Sequence, residues 1–292
     1  MIMPVRIVRA IRALNRRRIA RRRARRMSQW ARWAIGGGGG DADDVLDIAA
    51  RLRPVATQHP LVRIGGGGDG GYLVPDDLEG ITACFSPGVG HTAQFEADLI
   101  TRFGIPCYLA DASVVPPSFD PAIAALLDFE NTFIGRGETP DVLRLEDWLG
   151  KTGRQDDSDL LLQMDIEGGE YDVLADTPRD VLRQFRILVI EFHSLHLLFA
   201  KVWRCQMRSL VNALTRDFHV VHIHPNNSAP VVAAHGLAIP DVMEITFLRK
   251  DRSQSTGPAG RFPHPLDDPC VPSRPDIVLP ALFRGPTGQG PE

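Results

Sequence analysis

The stretch LLLQMDIEGGEYDVL, residues 160–174, decides the fold of this chain because it joins a buried strand to a helix through a turn of acids and glycines. The apolar run 160–166 predicts a strand buried on both faces, and residues 170–175 begin the next helix. A strand followed directly by a helix is typical of a parallel sheet covered by helices. In such sheets, ligand-binding residues follow the carboxyl ends of the strands.

Strand-like and helix-like segments alternate on both sides of this stretch. Further strands are predicted at residues 81–86, 106–110, 131–135, 186–192, 218–222 and 242–249, and helices at 92–103, 146–150 and 195–216. The alternation predicts an α/β fold with a mainly parallel sheet and helices on both faces.

Charge divides the chain into unlike parts. Residues 1–40 carry 12 arginines and no acid and end in five glycines, whereas the rest of the chain carries 21 basic and 36 acidic side chains. We expect residues 1–40 to be a flexible arm with a glycine linker, and residues 41–250 to be the folded domain. The nine prolines and five glycines of residues 251–292 predict a disordered tail.

The basic arm leaves its partner open. Residues 1–35 could contact an anionic membrane surface, nucleic acid or the acidic remainder of the chain. No run approaches the roughly 20 apolar residues that span a bilayer, and a secretory signal is not indicated. Four scattered cysteines form no CxxC pair, which disfavours a disulfide framework and a zinc finger. We therefore expect a cytoplasmic protein without a transmembrane segment, with peripheral membrane contact left open.

Glycines and an acid follow the first two predicted strands of the domain. Ser86-Pro87-Gly88-Val89-Gly90 forms a glycine turn before a helix, and Asp111 ends the next strand. Glycines let a ligand approach the backbone, and a carboxylate about 20 residues later suits the hydroxyls of a ribose. The third glycine of the dinucleotide fingerprint is missing, which favours S-adenosylmethionine over NAD. An NAD-dependent enzyme is an alternative.

Carboxylates and histidines follow the later strands. Asp165 and Glu167 are two positions apart, as are Glu191 and His193, so the members of each pair share one side if the strand continues. Carboxylates grouped at a buried strand end need cations, hydrogen-bond donors or a metal.

A second polar group, HIHPNN, follows a later strand. It contains His222, His224, Asn226 and Asn227, and its two histidines lie on one side of the strand. Such a pair can bind a metal or relay a proton, or it can pack as a polar part of the core.

Six segments together resemble the FkbM-type methyltransferase family. They are GGDGGY at 67–72, SPGVG at 86–90, MDIEGGEYDVL at 164–174, IEFH at 190–193, HIHPNN at 222–227 and IPDVMEITF at 239–247. The resemblance implies a Rossmann-like methyltransferase fold, with a mainly parallel sheet, an antiparallel C-terminal strand and helices on both faces. It also implies S-adenosyl-L-methionine as cofactor and O-methylation of a hydroxyl on a sugar, glycan or natural product.

The resemblance implies which residues bind the cofactor. The glycine turn, with Ser86, Gly88 and Gly90, would hold its methionine part. Asp111 would bind the ribose, and Asp165 would lie beside the sulfonium.

Candidate catalytic residues follow from the same resemblance. A sugar hydroxyl is a poor nucleophile, so His193 is the candidate base, with Asp165, Glu167 and Glu191 as orienting or metal-binding carboxylates. His222 and His224 are the second candidates. No metal ligand is assigned, but a divalent cation is left open, and carboxylates favour Mg²⁺ or Mn²⁺ over Zn²⁺. The substrate is assigned to the later polar group, His222, His224, Asn226 and Asn227.

A different class of function is a methyltransferase-like scaffold that binds a membrane or nucleic acid through its basic arm. Deleting residues 1–40 separates the two hypotheses, because an enzyme would keep its turnover while the association with membrane or nucleic acid disappears. The sequence indicates neither the methyl acceptor nor the oligomeric state.

Overall fold

The structure is a computed structural model that describes residues 42–89, 93–114, 127–139 and 141–284. The basic arm and Gly90 lie outside these residues. The strands are β1 (Val55–Thr57), β2 (Leu61–Ile64), β3 (Tyr72–Pro75), β4 (Ala83–Pro87), β5 (Cys107–Ala110), β6 (Leu127–Glu130), β7 (Phe133–Ile134), β8 (Val142–Leu143), β9 (Leu160–Met164), β10 (Phe185–His193), β11 (Phe218–Pro225), β12 (Val231–Ala234), β13 (Leu237–Pro240), β14 (Val242–Arg249) and β15 (Ser255–Pro258). The α-helices are α1 (Ala42–Arg51), α2 (Gln94–Phe103), α3 (Leu145–Lys151), α4 (Glu170–Asp176), α5 (Arg179–Leu182) and α6 (Lys201–Asp217).

Seven of these strands form the main sheet, in the order β11-β14-β10-β9-β4-β5-β6. The neighbours from β10 through β9, β4 and β5 to β6 are parallel, whereas β14 is antiparallel to both of its neighbours. The chain runs outward from β4 to β6 and then outward in the opposite direction from β9 to β10. This reversal makes the space between β4 and β9 the switch point at which such sheets bind ligands.

Both faces of the sheet are covered, as the alternation along β9 illustrates. Leu160, Leu162 and Met164 pack into one core with residues of α1, α3, α4 and α6, whereas Leu161 packs into a second core with α2 and the β2–β3 hairpin. Side chains of a strand alternate between faces, so a strand buried on both sides reads as a continuous apolar run. The predicted fold class, including the antiparallel C-terminal strand, is confirmed.

One predicted helix is interrupted, and one predicted strand is misplaced. The helix expected over 195–216 consists of a 3₁₀ turn, Leu195–Phe199, and of α6, because Ala200 between them is extended. The strand expected at 131–135 is replaced by β6 and the short β7.

The segment 251–284 is ordered, in contrast to the disorder that its prolines predict. Strand β15 pairs with β1, and a 3₁₀ turn, Ala281–Phe283, contacts α1. Leu279 and Phe283 are completely buried in the core that contains α1. A few apolar side chains therefore hold this segment on the domain despite its poor backbone propensity.

Among the described helices, none combines the length and the apolar character needed to cross a membrane.

Candidate active site

The carboxyl edge of the parallel strands carries a row of polar side chains on one face. Asp165 follows β9, Glu191 and His193 end β10, and Glu244 lies opposite Glu191 in the register of β10 with β14. The alternation of side chains puts them on the face of the sheet that the β2–β3 hairpin covers. Gln163, which shares a face with Asp165, donates a hydrogen bond to the hydroxyl of a hairpin tyrosine and so supports this placement.

The loop of the hairpin, residues 65–71, brings a further acid to this row. One oxygen each of Asp69, Glu191 and Glu244 lies within 4.8 Å of the others. Sequence reasoning assigned no role to Asp69 or Glu244, although both lie in segments that carry the family resemblance. Their meeting depends on the hairpin folding over the sheet and on the register of an antiparallel strand.

His193 is held in place by the first turn of α4. Its backbone N–H donates to Glu170 Oε1 at 2.7 Å, and its carbonyl accepts a bond from the Tyr171 hydroxyl at 2.6 Å. Its Nδ1 lies 3.4 Å from the same Glu170 oxygen, and its Nε2 lies 3.6 Å from both Asp165 and Glu191. The acids and the tyrosine of the DIEGGEY block therefore position this histidine.

Burial and mutual charge shift the pKa values of this group. Burial lowers the pKa of His193, but the contact with Glu170 and the charge of Asp165 outweigh it and raise the value to about 9. Burial raises the pKa of Asp165 to about 7, with His193 opposing the rise and neighbouring carboxylates adding to it. Burial, followed by the charge of Asp165, raises the pKa of Glu191 well above its ordinary value. At neutral pH the imidazolium form of His193 is therefore favoured.

Two clefts at the end of β9 bear on the site. The Asp111 cleft is lined by Gly88, Asp111 and the apolar side chains Phe133, Ile134, Val142 and Ile166, among others. The His193 cleft is lined by His193 and by the polar side chains Asp69, Glu191, Ser194, His196, Asn226, Ser228 and Asp241, among others. Asp165 and Glu167 line both of these clefts and also a third one, which lies beside Gly88 and Glu96.

The turn after β9 has an unusual backbone. Glu167 has a φ of 56°, in the left-handed region that non-glycine residues rarely adopt, and Gly168 follows with a φ of 92°. Ser194, directly after the end of β10, has a φ of 60°. Positive φ values at non-glycine residues cost about 1–3 kcal/mol and concentrate at functional sites. The turns after β9 and β10, which border the His193 cleft, each carry such a residue.

Gly88 is required by close packing at the switch point. It has a φ of 88°, and a Cβ on it would overlap with the carbonyl oxygen of Asp165. Its N–H donates to the Ala110 carbonyl at 3.0 Å, while the Asp165 N–H donates to the Pro87 carbonyl at 3.1 Å. Gly88 thus joins the ends of three neighbouring strands at the Asp111 cleft.

The predicted cofactor-binding residues meet in part. Gly88, Asp111 and Asp165 line one cleft, as expected for residues at the carboxyl ends of neighbouring parallel strands. Ser86 instead is fully buried and hydrogen-bonds with the buried Glu96. Gly90 lies outside the described residues.

The residues assigned to the substrate from sequence also separate. Three of them, His222, His224 and Asn227, are buried and form hydrogen bonds with groups of the segment 267–276, which covers them. None of these three lines the His193 cleft. Only Asn226 lines that cleft. The sequence could not reveal this, because the covering segment was expected to be disordered.

A doubly wound sheet with its clefts at the switch point defines a Rossmann-like α/β protein. Residues 77–219, about half of the chain, match the sequence profile described as the methyltransferase FkbM domain. The resemblance drawn from the sequence is thereby confirmed.

No curated protein matches the chain. Among solved structures, the mitomycin 7-O-methyltransferase MmcR matches with 13% sequence identity and a TM-score of 0.23. The match covers 70% of this chain and 53% of that one, so the chain spans about half of the length of that structure. A similarity this low carries no argument about function.

Proposed function

We propose that this protein transfers a methyl group from S-adenosyl-L-methionine to a hydroxyl of a polar acceptor such as a sugar, a glycan or a natural product. The observation that carries the proposal is that Asp165 and Glu167 line both clefts. A donor in one cleft and an acceptor in the other would therefore meet at these two carboxylates.

The Asp111 cleft fits the adenosyl part of the cofactor. Phe133, Ile134 and Val142 offer apolar contacts for a base. Asp111 is buried and its Oδ1 accepts a bond from the Ser113 N–H at 2.6 Å, which orients the carboxylate. A carboxylate at this position suits the two hydroxyls of a ribose.

When bound, S-adenosylmethionine supplies an electrophilic methyl carbon. The residues of the chain then have to hold the acceptor oxygen in line and remove its proton. Holding two reactants in alignment can supply roughly 7–11 kcal/mol of the barrier. Asp165 is the proposed proton acceptor, because its carboxylate borders the acceptor cleft and its buried Oδ1 has no hydrogen-bond partner among the residues that the structure describes. His193, 3.6 Å from that carboxylate, is proposed to orient it.

The lining of the His193 cleft supports a polyhydroxylated acceptor. Carboxylates, Asn226 and two serines offer hydrogen bonds there, whereas Ala229 and Val242 are its main apolar contributions. Each hydroxyl of a sugar is both donor and acceptor, so a cleft rich in carboxylates and amides can pair with several of them.

Calorimetry with S-adenosylhomocysteine and mass spectrometry of cell extracts test the proposal together. We expect wild-type protein to bind S-adenosylhomocysteine and to produce a metabolite heavier by one CH₂ group. Asp165→Asn should retain binding within a few-fold but lose the product, because it keeps the shape of the side chain and removes its basicity. Asp172→Asn, on the exposed side of the Asp111 cleft, is the matched control and should behave as wild type. A preference of the wild type for NAD would refute methyl transfer.

A further inference from the structure

Three acids, of which two line the His193 cleft, have no part in the proton transfer proposed above. Glu191 and Glu244 are directly opposed on β10 and β14, and only 4% and 6% of their surfaces are exposed. Like charges directly opposed on neighbouring strands destabilise a sheet. Asp69 of the hairpin loop adds a third carboxylate, with one oxygen of each residue within 4.8 Å of the others.

Positive charge near these acids is scarce. Among the described residues, Glu191 forms an ion pair with His193 at 3.6 Å and Glu244 with His224 at 3.4 Å, and neither lysine nor arginine pairs with any of the three acids. In the described part of the chain, the three carboxyl groups therefore have no cationic partner besides these two histidines.

A buried oxygen in the group also has no hydrogen-bond donor. Glu191 Oε1 accepts a bond from the Asn226 side chain at 3.0 Å, whereas Glu191 Oε2 is buried and has no partner in the described part of the chain. An unpaired buried carboxylate oxygen is unfavourable unless a donor or a cation faces it. A donor or a cation next to Glu191 would therefore stabilise this oxygen.

We propose that Asp69, Glu191 and Glu244 bind a divalent cation of the oxygen-preferring kind, Mg²⁺ or Mn²⁺. Carboxylate oxygens are the ligands these ions prefer. Oxygens around an octahedral Mg²⁺ are about 3.0 Å apart when adjacent and about 4.2 Å apart when opposite, so three oxygens within 4.8 Å of one another can surround an ion once the side chains move closer together. Glu244 also accepts from Cys270 at 3.1 Å, and its two oxygens have enough lone pairs for both contacts.

The position of the group gives the ion a route of entry and a use. Asp69 is exposed and lines the His193 cleft together with Glu191, so the ion can enter from that cleft. An octahedral ion with three protein ligands keeps further positions for water or for an acceptor hydroxyl, whose proton it would make easier to remove. The binding site stands independently of the proposed function, whereas this use of the ion rests on it.

Titration of the EDTA-treated full-length protein with Mn²⁺, followed by the electron paramagnetic resonance signal of free Mn²⁺, tests the site. We expect wild type to bind one equivalent and Asp69→Asn to bind at least roughly tenfold more weakly, because it removes a charged ligand. Asp241→Asn is the matched control, since Asp241 lines the same cleft but pairs with His196, and it should leave the affinity unchanged. Asp69 is exposed, so its substitution leaves the buried core intact.

Two outcomes would overturn the cation site. The first is the absence of Mn²⁺ binding by wild type, and the second is an equal loss of affinity in Asp69→Asn and Asp241→Asn, which would indicate a diffuse acidic surface. S-adenosylhomocysteine binding is measured on the same samples. If the protein binds S-adenosylhomocysteine but not Mn²⁺, only the cation site is overturned. If it binds Mn²⁺ but not S-adenosylhomocysteine, only the proposed function is overturned.

Discussion

Replacing Asp111 by asparagine should weaken the binding of S-adenosylhomocysteine without unfolding the protein. Asparagine has the shape of aspartate, and its carbonyl oxygen can still accept the bond from the Ser113 N–H, which is 2.6 Å long in the structure. The local turn after β5 is therefore expected to persist. What the substitution removes is the negative charge that faces the Asp111 cleft.

The magnitude follows from the burial of Asp111. Only 5% of the residue is exposed, so water screens its interactions with a bound ribose little. A hydrogen bond to a charged group contributes about 1.5–3 kcal/mol, and each 1.4 kcal/mol corresponds to a factor of about ten in affinity. We therefore expect an increase of Kd by roughly 10- to 150-fold.

Isothermal titration calorimetry of wild type, Asp111→Asn and Asp172→Asn measures this difference. Asp172 lines the same cleft but is exposed on α4, so its substitution should leave the affinity unchanged. Thermal unfolding of the three proteins without ligand should coincide. The ribose assignment is refuted if Asp111→Asn binds as tightly as wild type.

Three further predictions concern stability and the packing of the site. Gly88→Ala should lower the free energy of unfolding, measured in urea, by about 1–3 kcal/mol or more, because its Cβ meets the Asp165 backbone. Gly104→Ala is the control, since Gly104 also has a positive φ but faces open space, and it should lower the free energy of unfolding by less. Equal losses in the two variants would contradict this. Deletion of residues 251–292 should yield unfolded or aggregated protein, because it removes Leu279 and Phe283 from the core that contains α1. A folded product that binds S-adenosylhomocysteine would contradict this. Although burial raises the pKa of Asp159, the hydrogen bond and charge of Arg186 hold it below its ordinary value. This carboxylate stabilises the fold above its unfolded pKa of about 4, and that contribution is lost as the pH falls through its folded pKa. Asp159→Asn should therefore be less stable than wild type at neutral pH and should lose less stability on acidification, as followed by circular dichroism. Parallel curves of stability against pH for the two proteins would disprove this.

Six of the seven strands of the main sheet could be predicted because they are largely buried, whereas the partly exposed edge strand β6 is missed by the prediction. The mainly apolar strands β9 and β14 contribute side chains to the cores on both faces of the sheet, so their apolar content predicts their positions. The joint placement of Gly88, Asp111 and Asp165 could be predicted as well, because the carboxyl ends of neighbouring parallel strands share an edge.

The cluster of acids and the ordered C-terminal segment could not be predicted. Asp69 and Glu244 meet Glu191 only through the fold of the hairpin over the sheet and the register of β14, neither of which leaves a local signal. The segment that buries Phe283 has a proline-rich composition, and its stability comes from contacts distant in sequence. Local propensity is overridden there by tertiary packing.

A crystal structure of the protein with S-adenosylhomocysteine tests the central claim most directly. The ribose should lie within hydrogen-bond distance of Asp111, and the sulfur should face the junction of the two clefts at Asp165. A ligand bound elsewhere on the protein, or one with its sulfur turned away from Asp165, would contradict the proposed site of methyl transfer.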